Sequence, residues 1–517
     1  MLSISRIASR DPVWIAIIVS FLMSLIVVVG DDLINDDGIL YLDVATKFLQ
    51  GDWASAIATY NWAFYPFLIA GFSKISFLEV ETAAHVLNAI LYGILTYVFI
   101  RCIEELGGNR RVAIIAAILL FTNVSVNEYR DIITRDPGYW AFFFTTLLFF
   151  LKYINTEKNK YIAGFVISVI VATLFRIEGI VFALALPFIL VLRHSEHRIR
   201  LLSNPVLISV CLAGLLIALL SMDLAYIQKE FSPFLGRLID PLIYFHGTAG
   251  KILSGAEAKV DLLVQHVIGY YNKQIGVEIY ISILFTIMLM KIYKVTGFVA
   301  VLFSVWSGIS NIQRKRITDF KVIISFITIN LIVLAIFLLN QGFLSSRYVV
   351  TFGLLVTLIA AFGLEAFFYS SSPQAFGMNA TWHKRSKIFI VVLLVYAFFD
   401  GVISTGVSKS YIRESGEWIK NNVSASERLL ASETTLYYYS GRSIEKEDMS
   451  KLRADIFNNK IINFDSLKLN NYDYLAIKIK DKQKKLRNTV VSVMGQEPIH
   501  RSANERGDSV LVFKVNK

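Results

Sequence analysis

The chain has 517 residues, 55% of them hydrophobic and only 18% charged, with a formal net charge of +11. A soluble globular domain is roughly 45–50% apolar and about 25% charged; here the apolar excess sits in long uncharged runs, which points to the polytopic membrane class. The positive charge does not point to nucleic acid, because the basic residues gather in short loops between those runs, where the positive-inside rule puts them.

In chain order, "MLSISRIASRDP" precedes an apolar run to Gly30 with no small-residue cleavage site after it, so we read a retained first span with the N-terminus in the cytoplasm. At about 20 apolar residues per crossing, spans are expected near 13–30, 82–101, 111–126, 138–154, 161–175, 179–193, 205–222, 276–293, 321–339, 348–369 and 388–406. That makes about eleven transmembrane helices (11–13). The apolar piece 295–310 is expected to be interfacial or re-entrant, since two full crossings in 276–310 would break the parity. Lys/Arg-rich loops such as "RCIEELGGNRR", "KYINTEKNK", "NIQRKRITDFK" and "HKRSK" fall inside, and the alternating loops outside.

Two outer segments stand apart. Residues 31–81 hold "YLDVATKFLQ" and "FYPFLIAGFSKI", helical in period but too short or too polar to span, as interfacial helices are. Residues 407–517 carry 20 Lys/Arg and 14 Asp/Glu, with a helix at "SGEWIKNNV" and strands at "RLLAS", "YDYLAIKIK" and "SVLVFKV". The expected organisation is a transmembrane domain over 1–406, with a long outer loop at 223–275, and a small extracytoplasmic α/β domain over 407–517.

Candidate chemistry concentrates in the outer loops. "DDLINDDGILYLDVA" crowds aspartates at a membrane edge; Asp31 and Asp32 read as the solvated exit of the first span. Asp37 and Tyr41 share a helical face one turn apart. The Asp36/Asp37 pair suits a general base acting on a hydroxyl acceptor, and equally a polar loop whose aspartate caps the following helix. In "NEYRDIITRDPGYWAFF", Asp136–Pro137 is a helix-start signal, while Arg130 and Arg135 run against the positive-inside bias and hint at an anionic ligand. Arg176 and Glu178 of "FRIEG", and Arg347–Tyr348 of "LSSRYVV", put arginines at the same face. Each is either an interface anchor or a phosphate contact. His85, His246 and His266 show no metal-ligand spacing, and Cys102 and Cys211 no disulfide or CxxC pattern.

The order of these pieces, from "NDDGILYLDVATKFLQGDW" and "FYPFLIAG" through "RDPGYWAFFFTTLLFF" and "FRIEG" to "SRYVVTFGLLV", resembles the GT-C superfamily of integral-membrane glycosyltransferases. The nearest branch is that of the protein O-mannosyltransferases and the lipid A aminoarabinose transferase. The resemblance covers roughly residues 1–370. It implies a polytopic α-helical, GT-C-like fold and inverting transfer from a polyprenyl-phosphate-linked sugar to a lipid, glycan or protein acceptor on the outer face of the cytoplasmic membrane. It implies no cofactor. Asp36 or Asp37 would be the base and Asp136 the second-loop acid that supports the acceptor or the base. Arg347 and Tyr348 would lie near the donor phosphate, with Tyr41, Tyr65, Arg130, Arg135, Arg176 and Glu178 as further substrate-binding candidates. The alternatives are a lipid-linked glycan polymerase or ligase, drawing on the 223–275 loop, and a lipid-linked oligosaccharide flippase.

Overall fold

The computed structural model describes residues 11–30, 33–191, 255–269, 274–310, 314, 317, 319–369, 378–403, 406–457 and 469–515. Asp31, Asp32, Cys211, His246, the span expected at 205–222 and most of the 223–275 loop lie outside them. By contacts the chain divides into two compact units. One holds residues 1–28 and 44–403; the other holds residues 29–43 together with 404–517.

The first unit is helical. Its early helices start where sequence rules put them: Pro12 and Pro137 occupy first-turn positions of Pro12–Val29 and Asp136–Thr156, where a missing N–H costs nothing. Asn109 caps Arg110–Phe121 by accepting from Arg111 and Val112. Within the expected first outer loop, Trp53–Thr59 and Phe64–Ser76 are short helices. Among the described residues, five helices are long and apolar enough to cross a membrane: Pro12–Val29, Val80–Glu105, Gly276–Thr296, Phe320–Gln341 and Ser346–Tyr369. Ser346–Tyr369 is the central one, buried over 94% of its most apolar stretch. Hydroxyls and amides tie neighbours together at depth, where apolar burial gives little preference for one helix over lipid. Thr146 donates to Ser168 at 3.1 Å, joining Asp136–Thr156 to Asn159–Phe175, and Asn330 donates to Thr351 at 3.1 Å. Exposed side chains on the flanking helices are large and apolar, for example Phe285, Met290, Ile332, Ile336, Val391 and Val395. Such a surface fits lipid, not water.

Two expectations need adjusting. The span at 111–126 ends early: its helix stops at Phe121, because Asn123 turns its side chain to cap a separate turn, Val124–Asn127, and donates to the Val295 carbonyl at 2.9 Å. "HKRSK" is not a loop but part of the helix Ala380–Val402, which Asn379 initiates by accepting from Trp382 N–H. Residues 276–310 hold one helix of spanning length, Gly276–Thr296, and the twelve-residue Phe298–Ile309, with the break at Gly297, φ of 80°.

The second unit is built on a four-stranded sheet in the order β1-β2-β4-β3, with β1 Leu429–Ala431, β2 Tyr474–Ile479, β3 His500–Ala503 and β4 Ser509–Lys514. β1 and β2 are parallel and the other two pairings antiparallel. The alternation of strand side chains serves two cores. Leu475, Ile477, Leu511 and Phe513 face Leu452, Leu486 and Val490 on one side. Tyr474, Ala476, Val510 and Val512 face Tyr411, Ile412, Ile419, Leu436 and Tyr437 on the other. Because both faces are covered, β2 and β4 read as continuous apolar runs. The strands expected at "RLLAS", "YDYLAIKIK" and "SVLVFKV" are those found. β3 escapes the sequence reading because an edge strand of polar "HRSA" has no apolar alternation.

Candidate active site

In the first unit a charged cluster forms where three helix ends meet. Asp136 opens its helix with a carboxylate only 2% exposed. Thr134 donates to its Oδ2 at 2.7 Å and Arg176 to its Oδ1 at 2.5 Å. Arg176 also pairs with Glu178, so one guanidinium fork bridges two carboxylates. The Arg176 guanidinium lies 4.1 Å from the centre of the Tyr348 ring and 5.4 Å from that of Tyr139. Arg347 completes the group, with its Nη1 3.8 Å from Asp136 Oδ2 and its side chain 27% exposed. The local fold depends on Gly138: a Cβ there would stand 2.2 Å from the Phe175 ring. Only glycine lets Phe175 press against the first turn and carry its neighbour Arg176 to Asp136.

Burial would push the Glu178 carboxyl up, but the Arg176 guanidinium outweighs that and holds it below its ordinary range. A depressed carboxyl stabilises the fold above its unfolded pKa and loses that contribution as pH falls through the folded one. Melting of the purified protein in detergent should therefore be steady near neutrality and drop below about pH 4. Glu178→Gln should flatten that drop; an identical acid limb in the variant would detach Glu178 from the cluster's stability.

The other candidates in this unit separate. Tyr65, 1% exposed, donates to Asn88 at 2.8 Å, and Asn88 in turn donates to the Ile132 carbonyl, so Tyr65 buttresses the loop that ends in Asp136. Arg135 is the residue just ahead of the Asp136 helix, and its charge favours the ionised form of Glu178. Arg130 is turned inward and 1% exposed. It donates to Asn127 at 2.9 Å, to the Ser20 carbonyl at 3.0 Å and to Ser24 at 2.7 Å, over the Tyr92 ring. Burial draws its pKa down to about 10. Arg130, read from the sequence as a ligand contact, thus holds the first helix. Thr134 and Tyr139 were missed, although Thr134 lies just ahead of the helix that Asp136 opens and Tyr139 in its first turn.

In the second unit, Asp36 and Asp37 open the helix Asp36–Leu49, where carboxylates favour the positive end of the helix dipole. Asp36 is exposed, Asp37 half-buried and Tyr41 buried, one turn on from Asp37. Thr434 donates to the Asp36 carboxylate. Among the described residues no three His, Cys, Asp or Glu side chains gather as a metal-ligand group.

Residues 63–222 match the sequence pattern of the dolichyl-phosphate-mannose-protein mannosyltransferase family. A comparison with curated proteins gave no match. Among solved structures, the oligosaccharyltransferase of Archaeoglobus fulgidus, tethered to an acceptor peptide with an NVT sequon, is similar over 94% of this chain and 71% of its own, at 12% identity and a TM-score of 0.53. The same enzyme in complex with zinc and sulfate gives 93%, 70%, 13% and 0.52. ArnT from Cupriavidus metallidurans, bound to undecaprenyl phosphate, aligns over 97% of both chains at 13% identity and a TM-score of 0.40. The oligosaccharyltransferase likeness shows the fold that this chain shares with a membrane glycosyltransferase, and residues 63–222 carry the pattern of a sugar-transferring family.

Proposed function

We propose that the chain transfers a sugar from a polyprenyl-phosphate donor to a lipid, glycan or protein acceptor, with inversion, on the outer face of the cytoplasmic membrane. The observation that carries this reading is Arg347. Its guanidinium is partly exposed, set beside a fully buried carboxylate, with its centre 5.4 Å from that of the Tyr348 ring. A planar cation held from behind in this way suits a phosphate oxygen. The surrounding helices are apolar, as a prenyl chain requires, and the donor named in the matching family is itself a lipid phosphate.

In the reaction, the acceptor hydroxyl loses its proton to Asp36 or Asp37 as its oxygen bonds to the sugar's anomeric carbon. The bond from that carbon to the phosphate oxygen breaks, and its electron pair leaves on the polyprenyl phosphate. Arg347, with Arg176 behind it, offsets the charge that collects on the leaving phosphate. Asp136, locked to Arg176 and Thr134, holds arginines in place and does not take the proton.

The test is transfer by the protein in liposomes supplied with a polyprenyl-phosphate-linked sugar, with the anomeric configuration of the product read by NMR. Retained configuration, or use of nucleotide sugars alone, would overturn the proposal. Arg347→Ala should raise the apparent donor KM by roughly 10- to 100-fold, the worth of one charged hydrogen bond; an unchanged KM removes the phosphate role.

A further inference from the structure

The segment that carries the acid pair belongs to the second unit, and that unit grips it at three points. Leu33 packs into the apolar cluster of Tyr411, Leu436 and Tyr437. The Ile34 N–H donates to the Tyr439 hydroxyl at 3.1 Å. The Thr434 hydroxyl donates to Asp36 Oδ1.

The direction of that last bond is set from behind. Arg453 reaches Thr434 Oγ1 at 3.5 Å and is itself fixed by the Ser432 carbonyl at 2.6 Å and by Glu433 at 3.3 Å. A guanidinium can only donate, so the threonine oxygen accepts from it and sends its own proton to the aspartate. Tyr439 is set as firmly: on the Ser410–Asn422 helix, a Cβ at Gly416 would come within 2.6 Å of Tyr439 Cβ. The absent side chain lets the two helices close and brings the tyrosine to Ile34.

We propose that Thr434 and Tyr439 are positioning residues for the general base, with Asp36 as the anchor they hold and Asp37 as the group that takes the proton. The inference rests on the general-base reading above. The Asp36 oxygen that accepts the Thr434 proton is already engaged as an acceptor. Fixing it also fixes its neighbour, because successive helical residues project about 100° apart. Asp37, half-buried and one turn before Tyr41, is thereby turned to a set direction.

The test uses the full chain in liposomes with saturating donor, alongside hydrogen exchange of the peptide covering residues 33–43. Thr434→Val should lower kcat about tenfold with donor KM unchanged, and Thr434→Ser should restore it. Asp37→Asn should cost far more than Asp36→Asn, and Thr434→Val combined with Asp36→Asn should be no worse than Thr434→Val alone. Tyr439→Phe should speed exchange at Ile34. Full kcat in Thr434→Val, unchanged exchange in Tyr439→Phe, or a larger loss in Asp36→Asn than in Asp37→Asn would overturn the proposal. Full transfer by the Asp36/Asp37 double asparagine variant would instead remove the base reading on which it stands.

Discussion

Converting Asp36 and Asp37 together to asparagine should lower sugar transfer by about 10²- to 10⁴-fold, the usual worth of a positioned general base. The substitution is conservative in every other respect. Asparagine keeps the size of aspartate, is accepted at a helix start, and still offers the Thr434 hydroxyl an oxygen. What it cannot do is take a proton. Donor affinity should therefore hold while kcat falls, a split that separates loss of chemistry from loss of the donor site. Retention of more than a tenth of the rate would place the base elsewhere, and Asp136, committed to Arg176 and Thr134, is not an available substitute.

Arg176→Met should be the most damaging single change to stability. The methionine roughly fills the space, but it leaves Asp136, 2% exposed, and Glu178 without the guanidinium that bridges them. Breaking a buried pair by removing one partner costs about 3–5 kcal/mol, since Asp136 would keep its buried charge with only Thr134 and the more distant Arg347 beside it. Thermal melting in detergent should fall well below the unmodified chain. Adding Asp136→Asn should recover part of the loss, because the uncompensated charge is then gone. If Arg176→Met melted with the parent, the cluster would be an arrangement without structural consequence.

The sequence made most of the frame legible, and the reasons are local. Apolar runs of spanning length need no tertiary information, and neither do the short apolar strand runs of "YLAIKI" and "SVLVFK". Asp136–Pro137 announced its helix through first-turn chemistry alone. What stayed hidden depended on distance in the chain. Asn123 ends one helix by turning to Val295, and no local rule anticipates a partner 172 residues away. Arg130 looked like an exposed ligand contact because its loop lies between spans, yet its donors reach Ser20 and Ser24. Arg176 and Arg347 were singled out as surface arginines, beside Glu178 and Tyr348. That both arginines reach one buried aspartate was not readable, because Gly138 lets Phe175 bring Arg176 there by lacking a side chain. Thr434 carried no sequence signal, lying 398 residues from the carboxylate it holds.

The second unit is assembled from two stretches far apart in the chain: residues 29–43 are made well before residues 404–517. During synthesis the acid-bearing segment must wait for more than three hundred intervening residues before its sheet exists. Closing so long a loop adds little equilibrium cost, since the entropy grows only with the logarithm of length, but it orders events in time. A ribosome that stalls anywhere before Leu429 leaves an apolar helical bundle already in the membrane with its acid pair unsupported.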